Sequence, residues 1–270
     1  MRLKSFVFVF AFVFLSVCVP MQAQQPAASA QSSYDATAKA NAKKAHDLLD
    51  AMVDALGGSS WETLQDWEQQ GRTSFFEHGK PTGDIVNFWA YHRAPDLDRY
   101  VFGKKKDVVQ LYTAKAGYEI TYKGKADLPK EQAEDFLRRR NHSIETIARV
   151  WMKDPKTVMI YEGATQVERH PAEKVTILAA NNDGVTIELD AETHLPLRRT
   201  FQWRDATYKD KDEDAEEYDD YHPIQGFQTA MTITRYHNGD LVNQRFLYKA
   251  QYNTGLPASL FDPDRGLKGK

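Results

Sequence analysis

Val175–Ala179 (VTILA), the turn Asn181-Asn182-Asp183-Gly184 and Val185–Asp190 (VTIELD) alternate apolar and polar residues on either side of a tight reversal. Period-two alternation is the signature of a half-buried strand, and Asn-Gly or Asp-Gly supplies the positive φ angles of a hairpin turn. The same reading extends outward over Lys156–Tyr252. Pro196–Trp203, Ala230–Tyr236 and Leu241–Tyr252 read as further strands, the last two joined across Asn238-Gly239. Consecutive strands of this kind pair antiparallel. A large curved antiparallel sheet has one wet and one apolar face, and something must cover the apolar one.

Towards the N-terminus, strands are expected at Asp66–Glu77, Asp84–His92, Leu97–Phe102, Val108–Thr113 and Tyr118–Tyr122. Two helical regions accompany them. Ala45, Leu48, Leu49, Met52, Val53 and Leu56 repeat at helical spacing, predicting an amphipathic helix from about Tyr34 to Leu56 that Gly57-Gly58 ends. A helical insert over about Pro129–Met152 carries one apolar patch at Ala133, Phe136 and Leu137. A second patch lies at Ile144, Ile147, Ala148 and Trp151, and Asn141-His142-Ser143 divides the insert. The order of helix, five strands, helical insert and six or seven strands predicts a mainly β (α+β) fold. Its form is a curved antiparallel half-barrel of about 11–12 strands with a helical lid.

The N-terminus has the layout of a secretory signal: Arg2 and Lys4, an apolar run over Phe6–Val19, then Pro20 and Ala23. The run falls short of the roughly 20 residues that span a bilayer. An uncleaved anchor and lipidation at Cys18 are the competing readings. The expected organisation is a signal over residues 1–23, a polar disordered tether over 24–33 and a single domain over 34–265. Cys18 is the only cysteine. A protein cleaved near Ala23 therefore has no disulfide, thiol nucleophile or cysteine metal site.

Lysine and arginine number 35 against 38 aspartates and glutamates, a net charge of −3. No basic footprint for nucleic acid is present. Lys209–Asp220 holds eight acids and two lysines and reads as a solvated loop leading into a wet edge strand, without the ligand spacing of a calcium loop.

Catalytic signatures are sparse. No Gly-x-Ser-x-Gly and no His-Glu-x-x-His occurs, and His142-Ser143 are neighbours that point apart on a helix. His92, His170, His194, His222 and His237 lie near strand ends or turns and read as surface residues; no metal site and no cofactor is expected. The aromatic residues, spread over almost every strand, read mostly as core, and their number also suits a large apolar interior not completely filled from within.

Four segments together resemble a known family: Phe88–Pro95 (FWAYHRAP), Ala114–Ile120 (AKAGYEI), Val185–Pro196 (VTIELDAETHLP) and the closing Phe261-Asp262-Pro263. They are similar to the periplasmic outer-membrane lipoprotein-sorting superfamily, the LolA/LolB-like carriers, over about residues 40–265. That resemblance implies a half-barrel closed by a helical lid and a non-enzymatic carrier of acyl chains. Its cargo would be a lipid or acylated lipoprotein, passed between an inner-membrane donor and an outer-membrane acceptor by a monomer. It also implies a lid-latching arginine near the proline, for which Arg93 and the nearby Arg99 are candidates. The expected cavity lining is Phe88, Phe102, Phe136, Ile147, Trp151 and Phe201. The alternatives are an envelope sensor or scaffold on the same fold, and an exported hydrolase using an unrecognised carboxylate or histidine site.

Overall fold

The computed structural model describes residues 27–83, 85–204 and 210–265, with side chains from residue 35 onward. The expected signal over residues 1–23, with Cys18 in it, and the first residues of the expected tether lie outside the described residues. Contacts divide the chain after Ala38 into two units. Of the first, the described residues are the helical turns over 27–38; the second is the β domain.

Helix α1 (Ala27–Leu56) begins earlier than Tyr34, taking in residues of the expected tether. The added turns are rich in alanine, the strongest helix former. From Ala45 on, the expected stripe is buried throughout. A short α2 (Ser59–Glu62) follows.

The sheet is built from β1 (Asp66–Glu77), β2 (Lys80–Pro81), β3 (Val86–Arg93), β4 (Leu97–Phe102), β5 (Val108–Tyr112), β6 (Gly117–Thr121) and β7 (Gly124–Asp127). The second half adds β8 (Val158–Val167), β9 (His170–Leu178), β10 (Gly184–Asp190), β11 (Pro196–Arg204), β12 (Lys211–Ile224), β13 (Phe227–His237) and β14 (Asp240–Tyr252). All pairings are antiparallel, in the order β7-β6-β5-β4-β3-β1-β14-β13-β12-β11-β10-β9-β8, with β2 on β1. Among the described residues, fourteen strands form one open, curved sheet, a half-barrel, where 11–12 were expected. The two extra short pieces, β2 and β7, are exposed and carry no apolar alternation that a sequence reader could use.

The hairpins form at the expected turns. Asn182 takes φ 62°, and Asn238 and Gly239 take φ 50° and 82°, the left-handed geometry that suits a two-residue reversal.

The topology explains the lid. The open edges are β7 and β8, and the helices α3 (Lys130–Asn141) and α4 (Ile144–Arg149) lie between those two strands in the chain. The connection must therefore cross the open side of the half-barrel. His142-Ser143 separates the helices, and the Ser143 hydroxyl accepts the Thr146 N–H at 3.2 Å as an N-cap.

One half of the concave face is filled. Leu49 and Met52 of α1 with Ile144, Ile147 and Ala148 of α4 pack on Val175, Ile177, Val185, Ile187, Leu189 and Phe201. On the convex side, Val101, Val109 and Ile120 form a separate cluster with Trp89 and Tyr91. The C-terminal turn is tied down by Asp66, whose carboxylate accepts the N–H groups of Thr254, Gly255 and Leu256 at 2.7, 3.0 and 3.1 Å.

The acidic run is a correction. It is no loop: β12 is an inner strand between β11 and β13, while Lys209 itself lies outside the described residues. Asp214 and Glu216 point inward and meet guanidiniums from other strands, a compensation that local composition does not reveal.

Candidate functional site

Over β1, β3–β5 and β12–β14, the concave face is not filled. Helix α3 covers it without fully burying any of its own side chains. Between them lies a cleft of about 540 Å³, within the roughly 300–1,000 Å³ of small-molecule sites.

One wall is aromatic. Phe88 on β3 and Tyr100 and Phe102 on β4 face Phe136 of α3. The Phe136 ring stacks on Tyr112 at a centroid distance of 3.6 Å and stands edge-on to Tyr100 at 5.7 Å. Phe88 lies against Gly71 at a bulge in β1; a Cβ on Gly71 would come within 2.8 Å of that ring. Trp61, Leu64 and Trp67 also line the cleft, as does Phe75, which is 43% exposed.

The opposite wall is ionic. Arg245 of β14 donates to Glu216 at 3.0 Å, and Arg199 of β11 lies 3.3 Å from the same carboxylate. Arg235 of β13 donates to Asp214 at 2.8 Å and reaches Asp135 of α3 at 3.5 Å; Arg139 of α3 also bonds Asp135. Burial alone would raise the Glu216 carboxyl, but Arg199, Arg245 and Arg235 hold it at about 2. Burial raises Asp214, with Arg235 opposing it. A second cluster sits near Trp67. His92 donates through Nδ1 to Asp98 at 2.8 Å, with Glu145 3.5 Å from Nε2. Burial would lower the imidazole, yet the hydrogen bonds and charges of Asp98 and Glu145 raise it to about 9.

Arginines that the sequence did not single out fasten the helices to the sheet, to its turns and to the segment after α2. Arg199 donates to the carbonyls of His142 at 2.9 Å and Arg139 at 3.2 Å. Arg140 donates to the carbonyls of Asp96 and Thr113 at 2.7 and 2.9 Å and to the Asp98 carboxylate at 3.1 Å. Arg149 holds the carbonyls of Glu62, at 2.8 Å, and Leu64.

Of the expected lining residues, Phe88, Phe102 and Phe136 stand on the cleft. Ile147 and Phe201 are buried in the packed half of the concave face and Trp151 packs against it, Phe201 stacked on His142 at 4.1 Å. Strand alternation puts Arg93 on the face of β3 opposite His92, and its side chain makes no hydrogen bond or ion pair within the described residues. Arg99 is turned away too, buried and donating to the Leu260 carbonyl at 3.2 Å. His92 is a correction to the surface reading, being 4% exposed and stacked on Trp67. Its alternation with Phe88 and Ala90 on β3 was the signal that could have found it. Among the described residues, no group of three or more His, Asp, Glu or Cys side chains is set to hold a metal ion. No described helix is long and apolar enough to cross a membrane.

Three solved structures share the fold. A DUF1329 family protein from Desulfovibrio piger superposes with TM-score 0.56 at 13% identity, over 82% of this chain and 97% of that one. A putative outer membrane lipoprotein-sorting protein domain from Vibrio parahaemolyticus gives 0.53 at 12%, over 82% and 97%. A LolA superfamily protein from Nitrosomonas europaea gives 0.52 at 10%, over 82% and 98%. The chain has the LolA-like fold. No family model matches the sequence, and no curated protein does.

Proposed function

We propose that this is an exported, periplasmic binding protein that shelters the acyl chain of a lipid or acylated lipoprotein in the cleft beneath α3. One observation carries the reading: the aromatic-walled cleft of about 540 Å³ left open between the half-barrel and its lid. The LolA-like fold supports it. Phe88, Phe102 and Phe136 would contact the chain, and handover would run from an inner-membrane donor to an outer-membrane acceptor without a cofactor.

Each sheltered methylene contributes about 0.8 kcal/mol. Roughly ten would give ~8 kcal/mol, a micromolar affinity. Release then requires a lid that opens at modest cost. Helix α3 suits this role, because it is held by the Phe136 ring contacts and by polar contacts rather than by a buried apolar face.

A hydrolase reading draws on His92 beside Asp98 in the cleft. An imidazole held protonated up to about pH 9 accepts no proton at neutrality, and its carboxylate neighbours are ion-paired. Binding is the better-supported function.

The test is to express the full chain with its own leader in a bacterial periplasm, purify it without detergent, and combine native mass spectrometry with lipid extraction. An acylated molecule at near-unit stoichiometry is expected. Protein recovered empty that also takes up no fluorescent fatty acid would overturn the reading.

A further inference from the structure

We propose that the cleft selects an amphiphile with an anionic headgroup, a carboxylate or phosphate seated between Arg139 and Arg245 while its chain lies along Phe88, Phe102 and Phe136. This deepens the acyl-binding reading and rests on it.

Three observations carry it. First, the two walls differ in kind and come from different strands. The aromatic wall belongs to β3–β5, the guanidinium wall to β13 and β14, and β1 lies between them as the floor. Helix α3 repeats the division one turn apart, with Phe136 over the aromatic side and Arg139 on the lining. A ligand lying across the floor meets apolar rings at one end and cations at the other.

Second, the ionic wall carries a surplus of positive charge. Among the described residues, Arg139, Arg235 and Arg245 on the lining and the buried Arg199 behind them share only Asp135, Asp214 and Glu216. The neighbouring cluster on the lining is balanced, with Arg140 and the protonated His92 against Asp98 and Glu145. The surplus occurs in a chain whose formal net charge is −3. A cleft with low-dielectric walls focuses such a field.

Third, donors remain unused where they face the cleft. A guanidinium has five N–H donors. Among the described residues, Arg245 uses Nη2 alone, on Glu216, leaving Nε and Nη1 without a hydrogen bond. Arg139 likewise uses Nη1 alone among them, on Asp135. Both side chains keep partial exposure, 20% for Arg139 and 23% for Arg245. They approach from opposite sides, one from the lid and one from the sheet, so an anion between them would also pull the lid closed.

The test compares laurate, dodecanol and dodecyltrimethylammonium, below their micellar concentrations, by calorimetry on the wild type and on Arg245→Gln and Arg139→Gln. Inorganic phosphate serves as a competitor. Laurate should bind at least about tenfold more tightly than dodecanol, the range of one charge-assisted hydrogen bond. Either substitution should erase that preference, bringing laurate affinity down to that of dodecanol on the same variant, and circular dichroism with thermal melting reports that the variant is folded. Equal affinity for laurate and dodecanol, tighter binding of the cation, or a preference surviving both substitutions would overturn the proposal. Phosphate bound as tightly as laurate would make the ligand a free anion instead. Binding of none of the three amphiphiles would sink the acyl-binding reading itself, and the headgroup proposal with it.

Discussion

The guanidinium of Arg199, wholly inside the protein on β11, donates to the carbonyl oxygen of His142 at 2.9 Å, where the lid helices meet. The sheet thus grips the C-terminal end of α3, where the backbone carbonyls carry the negative end of the helix dipole. Replacing Arg199 with methionine removes this grip and leaves Asp214 and Glu216 with one cation fewer. Breaking a buried ion pair costs about 3–5 kcal/mol. Urea denaturation should show a loss of that order, and amide exchange in α3 should accelerate more than in β9 or β10. A substitution that left α3 protection unchanged would contradict the latch.

Stability should depend on His92 in the alkaline range. Its folded value of about 9 lies above its ordinary 6.5, so the protonated ring favours the folded state. The contribution is complete below about pH 6.5 and disappears as the pH rises through 9. Its size is roughly 3 kcal/mol. His92→Gln should flatten the stability profile between those limits; an unchanged slope would refute the assignment.

Gly71 should not tolerate a side chain. A Cβ there would lie 2.3 Å from the Phe246 carbonyl oxygen and 2.8 Å from the Phe88 ring. Gly71→Ala is expected to cost about 1–3 kcal/mol, the range for an overpacked site. It should also push Phe88 towards the cleft and weaken acyl binding. Retained stability together with retained affinity would show that the bulge gives way instead.

Asp66 should matter for the C-terminal turn. Its carboxylate gathers three successive backbone N–H groups, and the turn it holds carries Leu260 and Phe261 against the convex face. Asp66→Ala leaves these donors unpaired, at about 2–3 kcal/mol. Limited proteolysis should then cut near residues 253–262 before the β domain. Cleavage elsewhere first would speak against the anchor.

Sequence patterns disclosed what local chemistry controls. The Asn238-Gly239 and Asn181–Gly184 turns, the α1 stripe and the break before Ser143 each depend on neighbours in the chain, and each forms as expected. The inner strand β12 was hidden because its acids carry the composition of a solvated loop. Their partners Arg199, Arg235 and Arg245 arrive from three other strands. The cleft was half legible for the same reason. Aromatic residues on strands mark an interior, but which half α1 and α4 fill is set by packing; Ile147 and Phe201 fell on the filled side and Phe88 and Phe102 on the open one.

Tryptophan quenching by a bromine-labelled fatty acid shows whether an acyl chain occupies the cleft beneath α3. Of the five tryptophans, Trp61 and Trp67 line the cleft, while Trp89 belongs to the convex cluster. Saturable, stoichiometric quenching is expected, and it is lost when Trp61 and Trp67 are both replaced by phenylalanine. No quenching of the wild type, or full quenching of the double variant, would contradict it.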